Sequence, residues 1–256
     1  MEPRSKDCRR VASAVSALAA ALALGVWLPA ANAISFGVSP IRLDLDRSAR
    51  TGSVTVTNDD PQKPLRVQMQ ALSWQQDDDG KDRYAPSEEL TYLPRIMTVP
   101  PTESRLLRAG IRVPAAEREK AYRLFIEEVP EPRSEGGAGA QVAVKVRFGV
   151  PVFVKPLKEE PSGAIELFEL AKGLLQVKVR NTGNVHFIIQ SIQFRAAGDA
   201  FTKDVPGWYL LAGAARLHGT AIPADVCEKL RTIEATVKTD RLELTRRLEI
   251  DPARCR

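Results

Sequence analysis

Apolar and polar residues alternate with a period of two along most of this chain. The clearest apolar rows are Leu65, Val67, Met69 and Ala71; Tyr122, Leu124 and Ile126; and Leu175, Val177 and Val179. Turn-forming stretches separate such rows, as in NDDPQKP after Thr57, DDDGKD after Gln76 and NTGN after Arg180. Short alternating runs between turns are typical of β-sandwiches and barrels. The pattern therefore predicts an all-β fold.

The first alternating run after residue 33 changes phase at Ser39-Pro40. Its apolar positions are first even-numbered and then odd-numbered: Phe36, Val38, Ile41, Leu43 and Leu45. A shift by one residue moves the inward side chains to the opposite face. We therefore expect the strand to bend at this point and to serve both sheets of a sandwich. In the odd-numbered part of the run, which follows Pro40, Arg42 is expected to point away from the side on which Ile41 and Leu43 lie.

The longest alternating run is QVAVKVRFGVPVFVKP, residues 141–156. Its apolar row is Val142, Val144, Val146, Phe148, Val150, Val152 and Val154. At about 3.3 Å per residue the run would extend about 50 Å, whereas ordinary strands have roughly five or six residues. Pro151 cannot donate to a strand ladder, so we expect an edge strand, at least locally. Either the row covers the core of its own domain, or a partner pairs with this edge and receives the apolar side chains.

The first 33 residues have the features of a secretory leader. Four basic residues precede an apolar run, and Ala31-Asn32-Ala33 has the small-x-small pattern of a cleavage site. The alternative is an uncleaved membrane anchor. We expect export, cleavage after Ala33 and no membrane span in the mature chain. The charged stretch KPLKEEPSG lacks an apolar rhythm and is interpreted as a linker, which gives domains at residues 34–156 and 157–256.

Composition narrows the function classes further. The leader carries four basic and two acidic residues, so its removal lowers the formal charge from +5 to +3, and no basic cluster indicates nucleic-acid binding. In an exported protein Cys227 and Cys255 are expected to form a disulfide, with two free thiols as the alternative. Neither His186 nor His218 stands at metal-ligand spacing from a cysteine. Catalytic motifs are absent, so we expect neither an enzyme nor a cofactor.

Several segments, in their order and spacing, resemble the periplasmic chaperones of the chaperone–usher pathway. They are VSPIRLDL, VTVTNDD, VQMQALSW, LPRIMTVPP, REKAYRLFIEEVP, the long run ending in VFVKP, and NTGNVHF. The resemblance implies two immunoglobulin-like β-sandwich domains set at an angle around a cleft. It also implies a periplasmic chaperone that binds pilus or fimbrial subunits one to one, supplies their missing strand, and delivers them to an outer-membrane usher.

The resemblance assigns roles to individual residues. The strand lent to the subunit matches Val142, Val144, Val146 and Phe148, and the arginine that holds the subunit's terminal carboxylate matches Arg42. The usual second anchor, a lysine, is replaced by Pro151, as in the divergent, archaic branch, which leaves Arg95, Arg123 and Lys155 as candidates. The family's interdomain ion pair would map to Glu119 and Lys155. An exported structural or adhesive sandwich module remains the alternative function.

Overall fold

The computed structural model describes residues 36–129 and 145–255, in which the regular structure is nearly all β. The first ten strands are β1 (Phe36–Ser39), β2 (Leu43–Leu45), β3 (Thr51–Asn58), β4 (Leu65–Gln76), β5 (Asp82–Pro86), β6 (Leu90–Leu93), β7 (Ile96–Val99), β8 (Ser104–Ile111), β9 (Lys120–Glu128) and β10 (Arg147–Val154). The leader and cleavage site predicted within residues 1–33 lie outside the described residues.

The second group contains eight strands and short helical turns. The strands are β11 (Gly163–Ala171), β12 (Leu174–Asn181), β13 (Phe187–Ala196), β14 (Thr202–Pro206), β15 (Tyr209–Leu210), β16 (Ala215–Ala221), β17 (Thr232–Thr239) and β18 (Glu243–Glu249). One α-helical turn, α1 (Ala224–Cys227), and the 3₁₀ turns Ala197–Asp199 and Pro252–Cys255 complete the helical elements of the described part.

Strands β1–β10 form a first sandwich. One sheet has the order β1-β3-β8-β6, and the other has the order β2-β10-β9-β4-β5 with β7 also pairing with β4. The alternating apolar residues of the two sheets meet in a shared core, whose fully buried members include Val54, Val56, Val67, Leu107, Leu124, Ile126 and Val152. The period of two in the sequence is therefore the inward row of each strand.

The change of phase at Ser39-Pro40 marks a change of sheet, as predicted. β1 pairs with β3 in an antiparallel manner, whereas β2 pairs with β10 in a parallel manner in the opposite sheet. Leu43 and Leu45 are buried, but the expectation for Ile41 was wrong, since this side chain is 78% exposed. Ile41 precedes the first residue of β2, so it is not held over the core by strand pairing.

Strands β11–β18 form a second sandwich. Its sheets have the orders β11-β12-β16 and β14-β13-β17-β18, and β15 pairs with β13. A disulfide joins Cys227 at the end of α1 to Cys255 in the last turn, with Cα atoms 5.8 Å apart, as the even cysteine pair predicted. The all-β, two-sandwich prediction is confirmed. The connection from β10 to β11 holds the predicted linker, and we propose it as the domain boundary near residue 157.

Candidate functional site

One face of the β2-β10-β9-β4-β5 sheet points away from the first core and is called the outer face below. Val150 and Val152 of β10 point inward and are buried, so the intervening residues of that strand belong to the outer face. Cross-strand register then assigns their neighbours. The outer face carries Asp44, Trp74, Tyr84, Arg123, Phe125, Arg147, Gly149, Pro151 and Phe153, with Arg42 directly before β2.

The two halves of β10 are paired differently. β9 pairs with the strand along its whole length from Arg147 to Val154, whereas β2 pairs only with Val152–Val154 on the other side. Among the described strands, none covers the backbone of Arg147–Val150 on the side opposite β9, and this segment is called the free edge below. Pro151 lies where the free edge stops and two-sided pairing begins. The prediction of a local edge strand is confirmed.

The apolar row of the long strand partly covers its own core. Val150 is 2% exposed, and Val146 and Phe148 are half-buried against the first core. The Phe148 ring meets the ring of Phe36 edge-on, with centroids 5.0 Å apart. Val142 and Val144, which the resemblance assigns to the lent strand, lie outside the described residues. The described end of the row thus serves the protein's own sandwich.

Charged side chains on the outer face flank the start of β10. Glu127 of β9 forms ion pairs with Lys145 and Arg147. The hydrogen bond from Lys145 is the main reason why the pKa of the Glu127 carboxyl is lowered. The Arg147 guanidinium also lies over the Phe125 ring, with Cζ 3.7 Å from its centroid. Positive charges beside an unpaired edge discourage self-association of the sheet.

Arg42 stands at the end of the free edge. Because Leu43 is opposite Val152 in a parallel pair, Arg42 is level with Pro151. Its Nε donates to Asp44 Oδ2 at 3.0 Å, and 40% of its side chain remains exposed. The sequence phase correctly predicted that Arg42 points away from the core. An exposed pair of this kind contributes about 0–1 kcal/mol, so Asp44 can be exchanged for another anion at small cost.

Of the three other candidate anchors, Arg123 lies nearest in the sheet to Arg42. It is opposite Pro151 on β9, so Arg42 and Arg123 stand on either side of that proline. Arg95 instead lies over the Tyr92 ring in the loop before β7, and Lys155 forms an ion pair with Glu159 at 3.2 Å. The two flanking strands are separated by about 10 Å, twice the spacing of neighbouring strands.

The Arg123 guanidinium is buried without a counter-ion. The residue is 7% exposed, Nη1 donates to the Gly149 carbonyl at 2.9 Å, and Cζ lies 3.8 Å from the centre of the Trp74 ring. Its Nε is buried and has no hydrogen-bond partner, although the guanidinium lies close enough to the Tyr84 hydroxyl to affect the pKa of that group. Neutral groups offset the cost of a buried cation less well than a carboxylate does, so this position favours an incoming anion.

The predicted ion pair between Glu119 and Lys155 does not form. Glu119 Oε1 accepts hydrogen bonds from His186 Nδ1 at 2.7 Å and from the His186 backbone N–H at 3.0 Å, and both side chains are almost fully buried. Lys155 pairs with Glu159, which lies four residues later in the linker and is the nearer carboxylate. The local sequence pattern around His186 gave no indication that Glu119 is its partner.

Aromatic residues and one glutamine join the two sandwiches. His186 stacks on Phe153 with ring centroids 3.6 Å apart, and Trp74 packs with the second core although it belongs to β4. The Gln76 side chain donates to the Tyr209 carbonyl at 3.0 Å and accepts from the Leu211 N–H at 2.9 Å. The period-two pattern of β4 gave no indication that its last residues reach the second sandwich.

Within residues 36–129 and 145–255, metal-binding clusters and membrane-spanning helices are both absent. His, Cys, Asp and Glu side chains form no group of three or more that could hold a metal ion there. In the same ranges, no helix is long and apolar enough to cross a membrane.

The first sandwich matches a known protein family. The family model described as "Pili and flagellar-assembly chaperone, PapD N-terminal domain" matches residues 35–159. No curated protein matches the chain by sequence.

Solved structures of this class share the fold. The chaperone–tip adhesin complex of archaic Csu pili from Acinetobacter baumannii aligns with a TM-score of 0.59 at 16% identity, covering 84% of this chain and 98% of that one. The Salmonella enterica SafA pilin–SafB chaperone complex aligns at 0.53 and 17% identity, covering 86% and 99%. The Pseudomonas aeruginosa CupB2 chaperone aligns at 0.52 and 16% identity, covering 84% and 100%.

Proposed function

We propose that this chain, which belongs to the pilus-assembly chaperones, caps pilus subunits one to one in the periplasm and delivers them to an outer-membrane usher. The observation that carries the proposal is the free edge of β10, which ends beside Arg42. The proposed mechanism is strand donation, in which the long strand completes a subunit that lacks its own last strand. The chemistry is binding alone and requires neither a catalyst nor a cofactor.

The free edge offers a template for a guest strand. Backbone N–H and C=O groups on one side of Arg147–Val150 have no partner strand among the described residues. Such an edge pairs readily with an added strand, which gains main-chain hydrogen bonds. A guest strand here lies end to end with β2. If the terminal carboxylate of the guest strand reaches Arg42, the guest strand runs parallel to β10, because Arg42 is level with the last part of the free edge.

Arg42 and Arg123 are the proposed carboxylate anchors. A guanidinium binds a carboxylate through two parallel hydrogen bonds and stays charged at all physiological pH values. Arg42 is accessible and its present partner Asp44 is weakly held, whereas Arg123 is buried and lacks a counter-ion. Together, the two arginines would take the role of the lysine that other members of the family carry at the position of Pro151. The proposed lent strand continues through Val142, Val144 and Val146 toward the subunit core.

The test uses a pilus subunit co-expressed in the periplasm with Arg42→Ala or with the matched control Arg47→Ala, which removes an exposed arginine two residues after β2. We expect Arg42→Ala to fold normally and to recover few subunits, while Arg47→Ala recovers them as the wild type does. Amidation of the subunit's carboxyl terminus should weaken wild-type binding and add little further loss in Arg42→Ala.

Two outcomes would contradict the proposal in different ways. Independent, additive losses from amidation and from Arg42→Ala would remove Arg42 from the carboxylate site. Subunits that fold and accumulate without the chain, with no soluble one-to-one complex, would instead favour the structural or adhesive module.

A further inference from the structure

Trp208 is an exposed tryptophan in the second sandwich. It lies in the connection between β14 and β15 and is 48% exposed, whereas Trp74 is 2% exposed. Single exposed apolar residues are ordinary on protein surfaces, so the exposure of Trp208 gains meaning only from the groups that lie beside it. Tryptophan is also among the residues that contribute most to protein–protein affinity.

The backbone around Trp208 is firmly held. The Ile189 N–H of β13 donates to the Trp208 carbonyl at 3.0 Å. Gly207 lies so close to Ile189 that a Cβ atom there would come within 2.4 Å of its backbone oxygen, which leaves room only for glycine. The Trp208 ring meets the Tyr209 ring edge-on, with centroids 5.5 Å apart. A rigidly presented aromatic side chain loses little conformational entropy when a partner covers it.

Tyr209 connects Trp208 to the end of the outer face. Its ring lies 5.7 Å from the Phe153 ring and 5.7 Å from Arg123 Cζ. Since Trp208 is 5.5 Å from Tyr209, its ring lies at most about 11 Å from the Arg123 guanidinium. The Arg123 cation on the first sandwich, which is held by neutral groups, and the exposed indole on the second thus lie within the length of a few residues of an extended chain.

We infer that Trp208 packs against the carboxyl-terminal segment of the client subunit, so that the second sandwich contacts the client directly. This inference rests on the proposed function. The occupant follows from the chemistry of the two neighbouring groups, because a chain end presents a carboxylate for Arg123 and apolar side chains for the indole. Continuity with the free edge of β10 favours the client's end over a second copy of this chain.

The test compares Trp208→Ala with Leu217→Ala. Leu217 is a matched control because it is 47% exposed and lies in β16 of the same sandwich. The probe is a synthetic peptide of the subunit's carboxyl-terminal strand, with dissociation constants measured by calorimetry. We expect at least a tenfold weaker dissociation constant for Trp208→Ala and less than a twofold change for Leu217→Ala. Both variants should keep the wild-type melting temperature, because both side chains are exposed.

Iodide quenching of tryptophan emission gives a readout local to Trp208. In the free protein iodide should quench Trp208 and not the buried Trp74, and saturating peptide should remove most of this quenching. Equal affinities of the two variants, or quenching unchanged by bound peptide, would overturn the inference. If wild-type protein binds the peptide and Arg42→Ala does not, that result leaves the proposed function standing. A peptide and an intact subunit that both fail to bind the wild type would overturn both.

Discussion

Replacing Glu119 with alanine should destabilise the protein more than any exposed glutamate substitution. The Glu119 carboxylate is 3% exposed and accepts two hydrogen bonds from His186, through the backbone N–H and through Nδ1. Removing one member of a buried pair costs roughly 3–5 kcal/mol, because the remaining group stays buried without a partner. At about 2–4 °C per kcal/mol for a chain of this size, the melting temperature should fall on the order of 10 °C.

Double-mutant cycles identify the partner of Glu119. The pair Glu119→Ala and His186→Ala should show a coupling energy of about 2 kcal/mol or more, since the two residues share buried hydrogen bonds. The pair Glu119→Ala and Lys155→Ala should be additive within about 0.5 kcal/mol. Lys155 is 41% exposed and pairs with Glu159, so its own loss should cost about 0–1 kcal/mol.

The assay is urea unfolding followed by the emission of Trp74, which lies at the junction of the two sandwiches. Glu117→Ala is the control, because this exposed side chain lies two residues earlier in the same loop. A Glu119→Ala loss no larger than that of Glu117→Ala would refute the assigned buried pair. A larger coupling of Glu119 to Lys155 than to His186 would restore the ion pair that the family resemblance implied.

Three further predictions concern stability. Reducing the Cys227–Cys255 bond, which spans 28 residues, should lower the free energy of unfolding by about 3–4 kcal/mol in urea titrations; an unchanged midpoint would contradict this. Burial, assisted by Arg216, lowers the pKa of His218 from 6.5 to about 4, so the unfolded state binds the proton first and stability falls as pH drops through this window. In His218→Gln the free energy of unfolding should fall by up to about 3 kcal/mol less than in the wild type over the same pH range. Parallel plots of unfolding free energy against pH for the two proteins would refute this prediction. Phe153→Ala, at a fully buried ring, should cost about 3–5 kcal/mol by thermal unfolding, and a loss below 1 kcal/mol would show that the junction repacks.

The sequence by itself determined the features that depend on each strand and its own sheet. Alternation predicted the all-β class, the break at Ser39-Pro40 predicted the change of sheet, and Pro151 predicted the local edge of β10. The two cysteines outside the leader predicted their own disulfide. These features are readable because a period of two records which side chains face the same way within one strand.

Only the tertiary structure decided which residues from distant strands meet. His186 rather than Lys155 became the partner of Glu119, and Arg123 rather than Arg95 came to lie across Pro151 from Arg42. Trp74 packs with the second core although its strand belongs to the first sandwich. Alternation assigns a side chain to a face of its sheet. The group that covers that face is set by how the two sandwiches approach, through contacts between residues far apart in sequence.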